Sequence, residues 1–441
     1  MARVNGVARA VTLPSPSFTF HRDTLGNGLR VLLSPDRSAP VVGVAVLYDV
    51  GFRSEPEGRT GFAHLFEHLM FQGSATLEKL EHFRYVQGSG GVFNGSTHPD
   101  YTNYFEVLPS NALERGLFLE ADRMRSPRIT ADNLANQLSV VKEEIRVNVM
   151  NRPYGGFPWL ELPPVLFDSF ANAHNGYGGF VDLESATTGD AEDFFTRYYT
   201  PGNAVLCVVG DLDVDETMAM VHKHFGDIPA GTPPVRPDFG EPPLTAERRA
   251  QAHDQHAPIP AVAVGYRVPD PVGDLDGLLA YVVLAEVLSD GDASRLSQRL
   301  VHRDRLVTDV GAYIGEFGDP FDERDPTPFT VTAHYADAAS LPRILDALDE
   351  ELGRIAAGDI DVAEIDRVRA RLVATMSKEL DSVMNRALEF AKFELLHGRA
   401  EVIEELPARL AAVTPQDVAA AAGALRPHAR AVVELVPGGA A

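Results

Sequence analysis

The segment HLFEH places three ionisable side chains inside an otherwise apolar stretch, TGFAHLFEHLMFQGS. Residues four apart lie on one face of an α-helix, so His64 and His68 would point the same way. Two neutral imidazoles in that arrangement supply half of a tetrahedral zinc site. Glu67 reaches the same side of the helix, where its carboxylate can serve as a general base toward a water molecule activated by the metal.

The alternative interpretation is a helix that carries two histidines and an acid by accident. Phe62, Leu65 and Phe66 indicate that this helix is buried. Burying three ionisable groups there without partners would cost on the order of several kcal/mol, and a bound metal removes that objection. The order H-x-x-E-H is also the inverzincin signature, the reverse of H-E-x-x-H. We therefore predict a zinc site.

A catalytic zinc usually has three protein ligands, so one ligand is still needed. The segment NQLSVVKEEIRVNVM has apolar residues at helical spacing and offers two adjacent carboxylates, Glu143 and Glu144. Adjacent side chains on a helix point about 100° apart, so one can face the site while the other is solvated. Spacing and periodicity do not choose between the two.

The composition and net charge of the chain limit the kinds of molecule that it can bind. The chain has 441 residues, is 45% hydrophobic and carries a net charge of −24, which argues against nucleic acid or an anionic membrane surface as a partner. It favours neutral or cationic ligands. Cys207 is the only cysteine, so a disulfide within the chain and a thiolate metal cluster are both excluded. We find no signal-peptide pattern and no apolar run of about 18 residues, and we expect a cytoplasmic protein.

The chain reads as one unit used twice. A proline-rich linker at residues 229–248 separates a first domain, 18–228, from a second, 249–438. In each half a Thr-x-x-Asp helix start precedes an apolar strand by the same distance: 17 residues separate Thr187 from Ala204, and 17 separate Thr414 from Ala431. Strand and helix patterns mix within each half, which predicts an α+β fold made of two similar layers.

The second copy has no histidine in its equivalent helix, around Tyr281 to Leu288. A purely structural requirement for the motif would have appeared in both copies. Only the first half is therefore predicted to bind metal.

HLFEH followed by VVKEEI resembles the M16 metallopeptidases, which include pitrilysin, insulin-degrading enzyme, the mitochondrial processing peptidase and small bacterial homologues. The segments GFRSEPEGRTGFAHLFEHLMFQGS, GGVFNGSTHPDYTNYFEVLPS and FFTRYYTPGNAVLCVVGDLD are similar to segments of that family. The resemblance spans nearly the whole chain and is strongest from Gly51 to Asp213. It implies two homologous α/β-layer domains of the LuxS/MPP-like metallohydrolase class.

The resemblance also implies roles for single residues. His64, His68 and Glu144 would be the zinc ligands, and Glu67 the catalytic base. Family members commonly carry a further glutamate seven residues before the third ligand, where this chain has Gln137. The missing carboxylate raises the question of how the site is tuned.

The family's substrates add a strand to a sheet edge. That segment corresponds here to Asn94-Gly95, within GGVFNGST, and glycine permits close approach of another backbone. An ordinary glycine-rich turn is the alternative.

A second departure from the family concerns an Arg/Tyr pair, seven residues apart, that helps to hold the substrate and the developing oxyanion. By alignment these positions fall on Val301 and Thr308, while Arg303, Arg305 and Tyr313 are out of register. Some small family members divide zinc and Arg/Tyr between two subunits. We therefore expect a zinc-bearing subunit with an M16-type partner that carries the pair, or a homodimer.

Together these patterns predict a zinc metalloendopeptidase, a hydrolase that cleaves unfolded, basic or leader- and presequence-like peptides inside a chamber. One rival is a non-catalytic core or partner subunit of an M16-type complex. Another is a small-molecule metallohydrolase, which would need a compact pocket rather than a strand-binding edge. We interpret His174 and Trp159 as structural residues.

Overall fold

The computed structural model describes residues 15–438. The first half of the chain forms a six-stranded sheet in the order β1-β2-β6-β3-β5-β4. Strands β2 and β6 are parallel, and the other neighbouring pairs are antiparallel. The strands are β1 (His21–Thr24), β2 (Arg30–Pro35), β3 (Val41–Tyr48), β4 (Val92–Thr97), β5 (Thr102–Pro109) and β6 (Ala204–Gly210).

The second half forms a five-stranded sheet in the order β7-β11-β8-β10-β9. Strands β7 and β11 are parallel, and the remaining pairs are antiparallel. The strands are β7 (Arg248–Asp254), β8 (Ala261–Val268), β9 (Asp309–Ile314), β10 (Thr327–His334) and β11 (Ala431–Pro437). Without β1 the two sheets have the same order and the same single parallel pair, which confirms the predicted α+β repeat.

Helices cover both sheets. In the first half they are α1 (Phe62–Leu69), α2 (Glu81–Gly88), α3 (Leu113–Arg125), α4 (Ala131–Ile145), α5 (Pro163–Leu166), α6 (Phe170–Ala173), α7 (Phe180–Glu184), α8 (Thr188–Tyr198) and α9 (Val214–Phe225). In the second half they are α10 (Leu275–Ser289), α11 (Leu341–Ala356), α12 (Val362–Glu379), α13 (Val383–Leu396), α14 (Val402–Ala412) and α15 (Pro415–Ala424). Among the described residues, no helix has the length and apolar character needed to cross a membrane.

The repeated Thr-x-x-Asp segments begin helices as the sequence predicts. Thr187 caps α8 and Thr414 caps α15, each through a complete capping box with the aspartate three residues later. Each helix leads into the strand that pairs with the central strand of its sheet. Equivalent local signals therefore produce equivalent elements.

A segment of each half also packs against the sheet of the other half. Helix α13 packs on β3 and β6 of the first sheet, and its Phe390 and Phe393 are buried in the core beside Cys207. Conversely, Leu162 and Leu166 of the first half pack against buried residues of the second sheet. The two halves thus share their cores.

No helix or strand lies between Phe225 and Arg248, a stretch that the structure describes throughout. This is where the proline-rich linker is predicted. Strand β7 begins at Arg248, one residue inside the predicted linker. The domain limits 18–228 and 249–438 stay predictions, because the exchanged segments blur any boundary drawn by packing.

Candidate metal centre

Helix α1 carries HLFEH and buries its apolar face in the first core through Phe62, Leu65, Phe66 and Leu69. It begins at Gly61, which adopts a left-handed conformation with φ of 83°. That conformation suits glycine, because a Cβ atom would crowd the backbone. A Cβ at this position would also lie 2.5 Å from the carbonyl oxygen of Tyr177.

A buried carboxylate, Glu55, fixes the start of α1. Its Oε2 accepts a hydrogen bond from the amide of Gly61 at 2.8 Å, and its Oε1 accepts one from Ala63 at 2.7 Å. His174 lies 3.1 Å from the same carboxylate. His174 is therefore structural, as its sequence context suggested, and it holds the carboxylate that anchors the motif helix.

Three donor atoms meet beside α1. Nε2 of His64 and Nε2 of His68 are 3.3 Å apart. Glu144 Oε2 lies 3.6 Å from the first and 3.3 Å from the second. Ligand atoms held about 2.0–2.1 Å from zinc at tetrahedral angles lie about 3.4 Å from one another, so these three residues fit the metal.

Glu143 and Glu144, between which the spacing did not choose, point in different directions in the structure. Glu144 faces the histidines from α4, and Tyr177 donates a hydrogen bond to its Oε1 at 3.2 Å. The Glu143 side chain is 65% exposed and pairs with Arg146 at the surface. The geometry therefore agrees with the assignment that the family resemblance implies for Glu144.

Gln137 lies on α4, to one side of the candidate metal centre, and is buried. Its Oε1 is 3.3 Å from Nδ1 of His68, so the amide oxygen can accept a hydrogen bond from that N–H group. Such a bond leaves Nε2 of His68 with a free lone pair directed at the metal position. An amide here therefore supplies the acceptor function that a glutamate, implied by the family resemblance, would supply.

Burial and charge set the protonation of the ligands. Burial, together with His68, lowers the pKa of His64 to about 4, which keeps that imidazole neutral. Burial is the largest single influence on His68 and opposes its charged form, but the hydrogen bond to Glu144 and the negative charges of Glu67 and Glu144 together raise the pKa of His68. The same hydrogen bond lowers the pKa of Glu144.

Glu67 lies on the same helix and faces the neighbouring edge strand. Thr97 donates a hydrogen bond to its Oε2 at 2.7 Å. Burial raises the pKa of the Glu67 carboxyl, although the Thr97 hydrogen bond acts in the opposite direction. A carboxylate with a raised pKa is better suited to hold a proton transiently, as a general base must.

Asn94 and Gly95 lie in β4, the edge strand of the first sheet. One side of β4 pairs with β5, and no strand among the described residues pairs with the other. A Cβ at Gly95 would lie 3.3 Å from Cγ of Glu67. The missing side chain thus leaves room beside the proposed base, and the edge can accept an added strand.

The metal centre opens into a cavity of about 450 Å³. Its wall includes Tyr177 and Trp159 from the first half and Phe317 from the second, with the Phe317 ring 6.2 Å from Trp159. Folding brings Trp159 into the wall of this cavity from a segment with no local signal, and its interpretation as a structural residue stays a prediction.

The structure places no guanidinium or phenol at the two aligned Arg/Tyr positions. Val301 lies in a π-helical turn, Ser297–Arg303, and is half-buried against the second core. Thr308 is exposed, just before β9. Tyr313 lies within β9 itself, so its register differs from that of the aligned tyrosine.

Sequence reasoning missed several residues that shape the site. Thr97 had a usable signal, since it lies two residues after Gly95 and therefore on the same face of the strand. No sequence signal pointed to Glu55 or Tyr177, because each lies in a loop whose path to the motif helix is set only by folding. Gln137 was noticed as a departure, but its contact with His68 could not be read from the sequence.

Two family models match the chain. "Insulinase (Peptidase family M16)" matches residues 30–153, and "Peptidase M16 inactive domain" matches residues 185–372. Zinc protease PqqE of Helicobacter pylori is 30% identical over 84% of this chain and 82% of its own length. An uncharacterized zinc protease of Mycobacterium tuberculosis is 26% identical over 93% of this chain and 91% of its own.

Solved structures are similar over nearly the whole chain. A protease from Helicobacter pylori has a TM-score of 0.86 at 27% identity, covering 96% of this chain and 100% of that one. Pitrilysin has a TM-score of 0.75 at 17% identity, covering 98% of this chain but 46% of its own. This chain therefore has the fold of about half of pitrilysin.

Proposed function

The chain belongs to the M16 peptidase family, and from that premise we propose that it is a zinc-dependent endopeptidase acting on unfolded or leader- and presequence-like peptides. The observation that carries the proposal is the close approach of three donor atoms, 3.3 to 3.6 Å apart, from His64, His68 and Glu144. These residues would hold the zinc ion. Relatives named zinc proteases support the choice of metal.

When bound, zinc would polarise the scissile carbonyl and lower the pKa of a water molecule. Glu67 would take the proton of the attacking water and pass it to the nitrogen of the leaving amine. Thr97 orients the Glu67 carboxylate through the 2.7 Å hydrogen bond. Gln137 holds the orientation of His68, and Tyr177 that of Glu144.

We propose that the peptide lies along β4 as an added antiparallel or parallel strand, with Asn94 and Gly95 opposite the residues around the cleaved bond. Main-chain hydrogen bonds accept many sequences, which suits a peptidase for unfolded substrates. The chain's net charge of −24 favours basic peptides over acidic ones. An open edge beside a cavity also fits a peptide better than a small molecule.

We propose further that a second chain completes the enzyme. The positions aligned with Arg/Tyr hold Val301 and Thr308, which supply neither the guanidinium nor the phenol expected to stabilise a developing oxyanion. This chain also spans 46% of pitrilysin, so two chains of this size match its length. An M16-type subunit that carries the pair is the proposed partner, and a homodimer is the alternative.

The second candidate function is a non-catalytic partner subunit. The model named "inactive domain" matches residues 185–372, and this half carries no histidine in α10. The candidate metal centre, however, lies in the half matched by the other model, whose residues 30–153 include the whole of α1 and α4. The complete H-x-x-E-H set therefore favours the enzyme.

We propose the cytoplasm as the compartment, in keeping with a single, buried cysteine. A protease similar in fold, PqqL of Escherichia coli, is described as periplasmic. Fractionation of cells of the source organism, with the protein detected by antibody, distinguishes the two compartments.

The test compares the purified chain with its Glu67→Gln variant. We expect both to bind one zinc ion per chain by elemental analysis, because Glu67 is not a proposed ligand. Cleavage of basic 15-residue peptides, followed by mass spectrometry, should depend on Glu67 and cease when a chelator removes the metal. The assay includes the chain alone and the complex purified from its own cells.

A Glu67→Gln variant that retains full turnover would overturn the proposed mechanism. Stoichiometric zinc without cleavage by the chain alone, together with cleavage by the native complex, supports the two-subunit proposal. Cleavage by the chain alone would refute the need for an Arg/Tyr partner. Zinc binding without cleavage in either preparation favours the non-catalytic role.

A further inference from the structure

A serine, a histidine and an aspartate lie in hydrogen-bond contact beside the open edge of β4. Ser96 Oγ is 2.8 Å from Nε2 of His98, and Nδ1 of His98 contacts the carboxylate of Asp322, 224 residues further along the chain. The amide of Asn103 donates to Ser96 Oγ at 2.6 Å, which leaves the hydroxyl proton for His98. Serine hydrolases join the same atoms in the same order.

The buried carboxylate of Asp322 orients the His98 ring. Asp322 is 8% exposed and also accepts a hydrogen bond from the Tyr101 hydroxyl. Burial opposes the charge of this carboxylate, but His98 and the nearby Lys392 hold its pKa below the usual range. An ionised carboxylate beside Nδ1 keeps the proton on that nitrogen, so Nε2 presents a lone pair to the Ser96 hydroxyl.

Ser96 lies in the wall of the cavity beside the candidate metal centre. It is half-buried, and both Ser96 and His98 line this space of about 450 Å³. Aromatic side chains of Phe52, Trp159 and Phe317 form part of the same wall. A cavity of this size with largely apolar walls suits a small ligand that carries an apolar group.

Ser96 and the proposed base of the metal centre lie on opposite faces of β4. Successive side chains of a strand alternate between its two faces. Thr97, whose hydroxyl donates to Glu67, therefore shares one face with Gly95, whereas Ser96 lies on the other. Chemistry at Ser96 would therefore not need the zinc ion.

A backbone donor lies next to Ser96. The amide of His98 donates to the carbonyl of Tyr101 at 2.8 Å, within the hairpin that joins β4 to β5. Hydrogen-bonded and non-hydrogen-bonded pairs alternate along an antiparallel ladder, so the N–H group of Thr97 is directed away from β5, at the open edge. An N–H group on the residue after a nucleophile can donate to the oxyanion of a bound ester.

We propose that Ser96 is a nucleophile toward small carboxylic esters, with His98 as its general base. The net charge of −24 favours neutral or cationic esters, and the activity is separate from the proposed peptidase function.

The reaction proceeds in two steps. Ser96 Oγ attacks the ester carbonyl carbon while Nε2 of His98 takes the hydroxyl proton. The bond from that carbon to the alcohol oxygen then breaks, and His98 returns the proton to this oxygen. Water, deprotonated by the same imidazole, cleaves the acyl–serine bond, which releases the carboxylic acid and restores the Ser96 hydroxyl.

The experiment uses the full chain, zinc-loaded or stripped of metal by a chelator, with a fluorophosphonate probe and with p-nitrophenyl butyrate as substrate. Mass spectrometry of the digested protein identifies the modified residue. The variants are Ser96→Ala, His98→Ala and the control Ser139→Ala, which removes an exposed hydroxyl bonded to the Ala135 carbonyl on α4. Zinc content and circular dichroism show whether each variant folds.

We expect the probe to modify Ser96 at the same rate with and without zinc. Ser96→Ala should lose labelling and ester turnover, while Ser139→Ala keeps both. His98→Ala should slow labelling at least about 100-fold, a usual contribution of a general base, and added imidazole should restore part of the rate. A merely structural role of His98 would give no such rescue.

An unmodified Ser96 in the parent chain would overturn the inference, and so would undiminished labelling of the Ser96→Ala variant. Ester turnover that ends when the chelator removes zinc would assign that activity to the metal centre and also refute the inference. Failure of the peptidase proposal alone has a different signature, namely labelling of Ser96 without any cleavage of peptides.

Discussion

At the scale of single residues, Gln137 shows how a substitution can preserve a function. The family resemblance implies a carboxylate at this position, and the sequence alone suggests a loss. In the fold, the amide oxygen lies 3.3 Å from Nδ1 of His68 and can accept a hydrogen bond from it. What the position requires is an acceptor, and glutamine supplies one without adding negative charge.

Replacing Gln137 by leucine should therefore weaken zinc binding, while Gln137→Glu should preserve it. Loss of such an orienting partner typically reduces metal affinity about 10- to 100-fold. The measurement is competition with a chelator of known zinc affinity, with circular dichroism as a check on folding. If the leucine variant bound zinc as tightly as the parent chain, the orienting role of Gln137 would be refuted.

At the scale of elements, the start of α1 decides where HLFEH lies. Gly61 has φ of 83°, and a Cβ there would lie 2.5 Å from the Tyr177 carbonyl oxygen. Gly58 nearby has almost the same conformation, with φ of 80°, yet a Cβ there would meet nothing within 4 Å. Substitution of Gly58 therefore measures the cost of the left-handed backbone alone. Substitution of Gly61 measures that cost together with the steric clash with Tyr177.

We expect Gly58→Ala to lower the free energy of unfolding by about 1–3 kcal/mol, the cost of a left-handed non-glycine residue. Gly61→Ala should lower it further and also weaken zinc binding, because the helix must move away from Tyr177. Thermal unfolding and zinc titration of both variants measure this. Equal effects of the two substitutions on both properties would show that the contact with Tyr177 does not position α1.

At the scale of the whole molecule, buried ion pairs join the two halves beside the metal centre. Arg53 of the first half is 2% exposed. Its guanidinium nitrogens lie 3.1 Å from a carboxylate oxygen of Asp100, also in the first half, and 2.9 Å from one of Glu323 in the second half. Arg22 also bridges the halves, to Glu394 at 2.9 Å, but its side chain is 36% exposed. Solvent screening makes the second pair far weaker.

Arg53→Met should destabilise the folded chain by about 3–5 kcal/mol, because it leaves the buried Glu323 carboxylate without a cation and leaves Asp100 with only Arg236. The matched substitution Arg22→Met should cost no more than about 1 kcal/mol. Urea unfolding followed by fluorescence, with limited proteolysis to detect separation of the halves, compares them. Similar losses in both variants would mean that burial of Arg53 adds nothing to the junction.

The sequence by itself determined the parts of this protein that depend on short-range periodicity. The spacing of His64, Glu67 and His68 on a helix, the Thr-x-x-Asp helix starts and the apolar strands all follow from local geometry. Repetition of those signals predicted two similar halves, and the absence of histidine in the second assigned the metal centre to the first. These conclusions required no knowledge of long-range contacts.

Only the tertiary structure decided which distant groups meet. It directed Glu144 rather than Glu143 at the histidines, since the rotation of α4 depends on how the whole helix packs. It also brought Tyr177 to Glu144 and Phe317 into the cavity beside the candidate metal centre. Contacts between residues far apart in the chain depend on the packing of whole elements, which local sequence patterns do not encode.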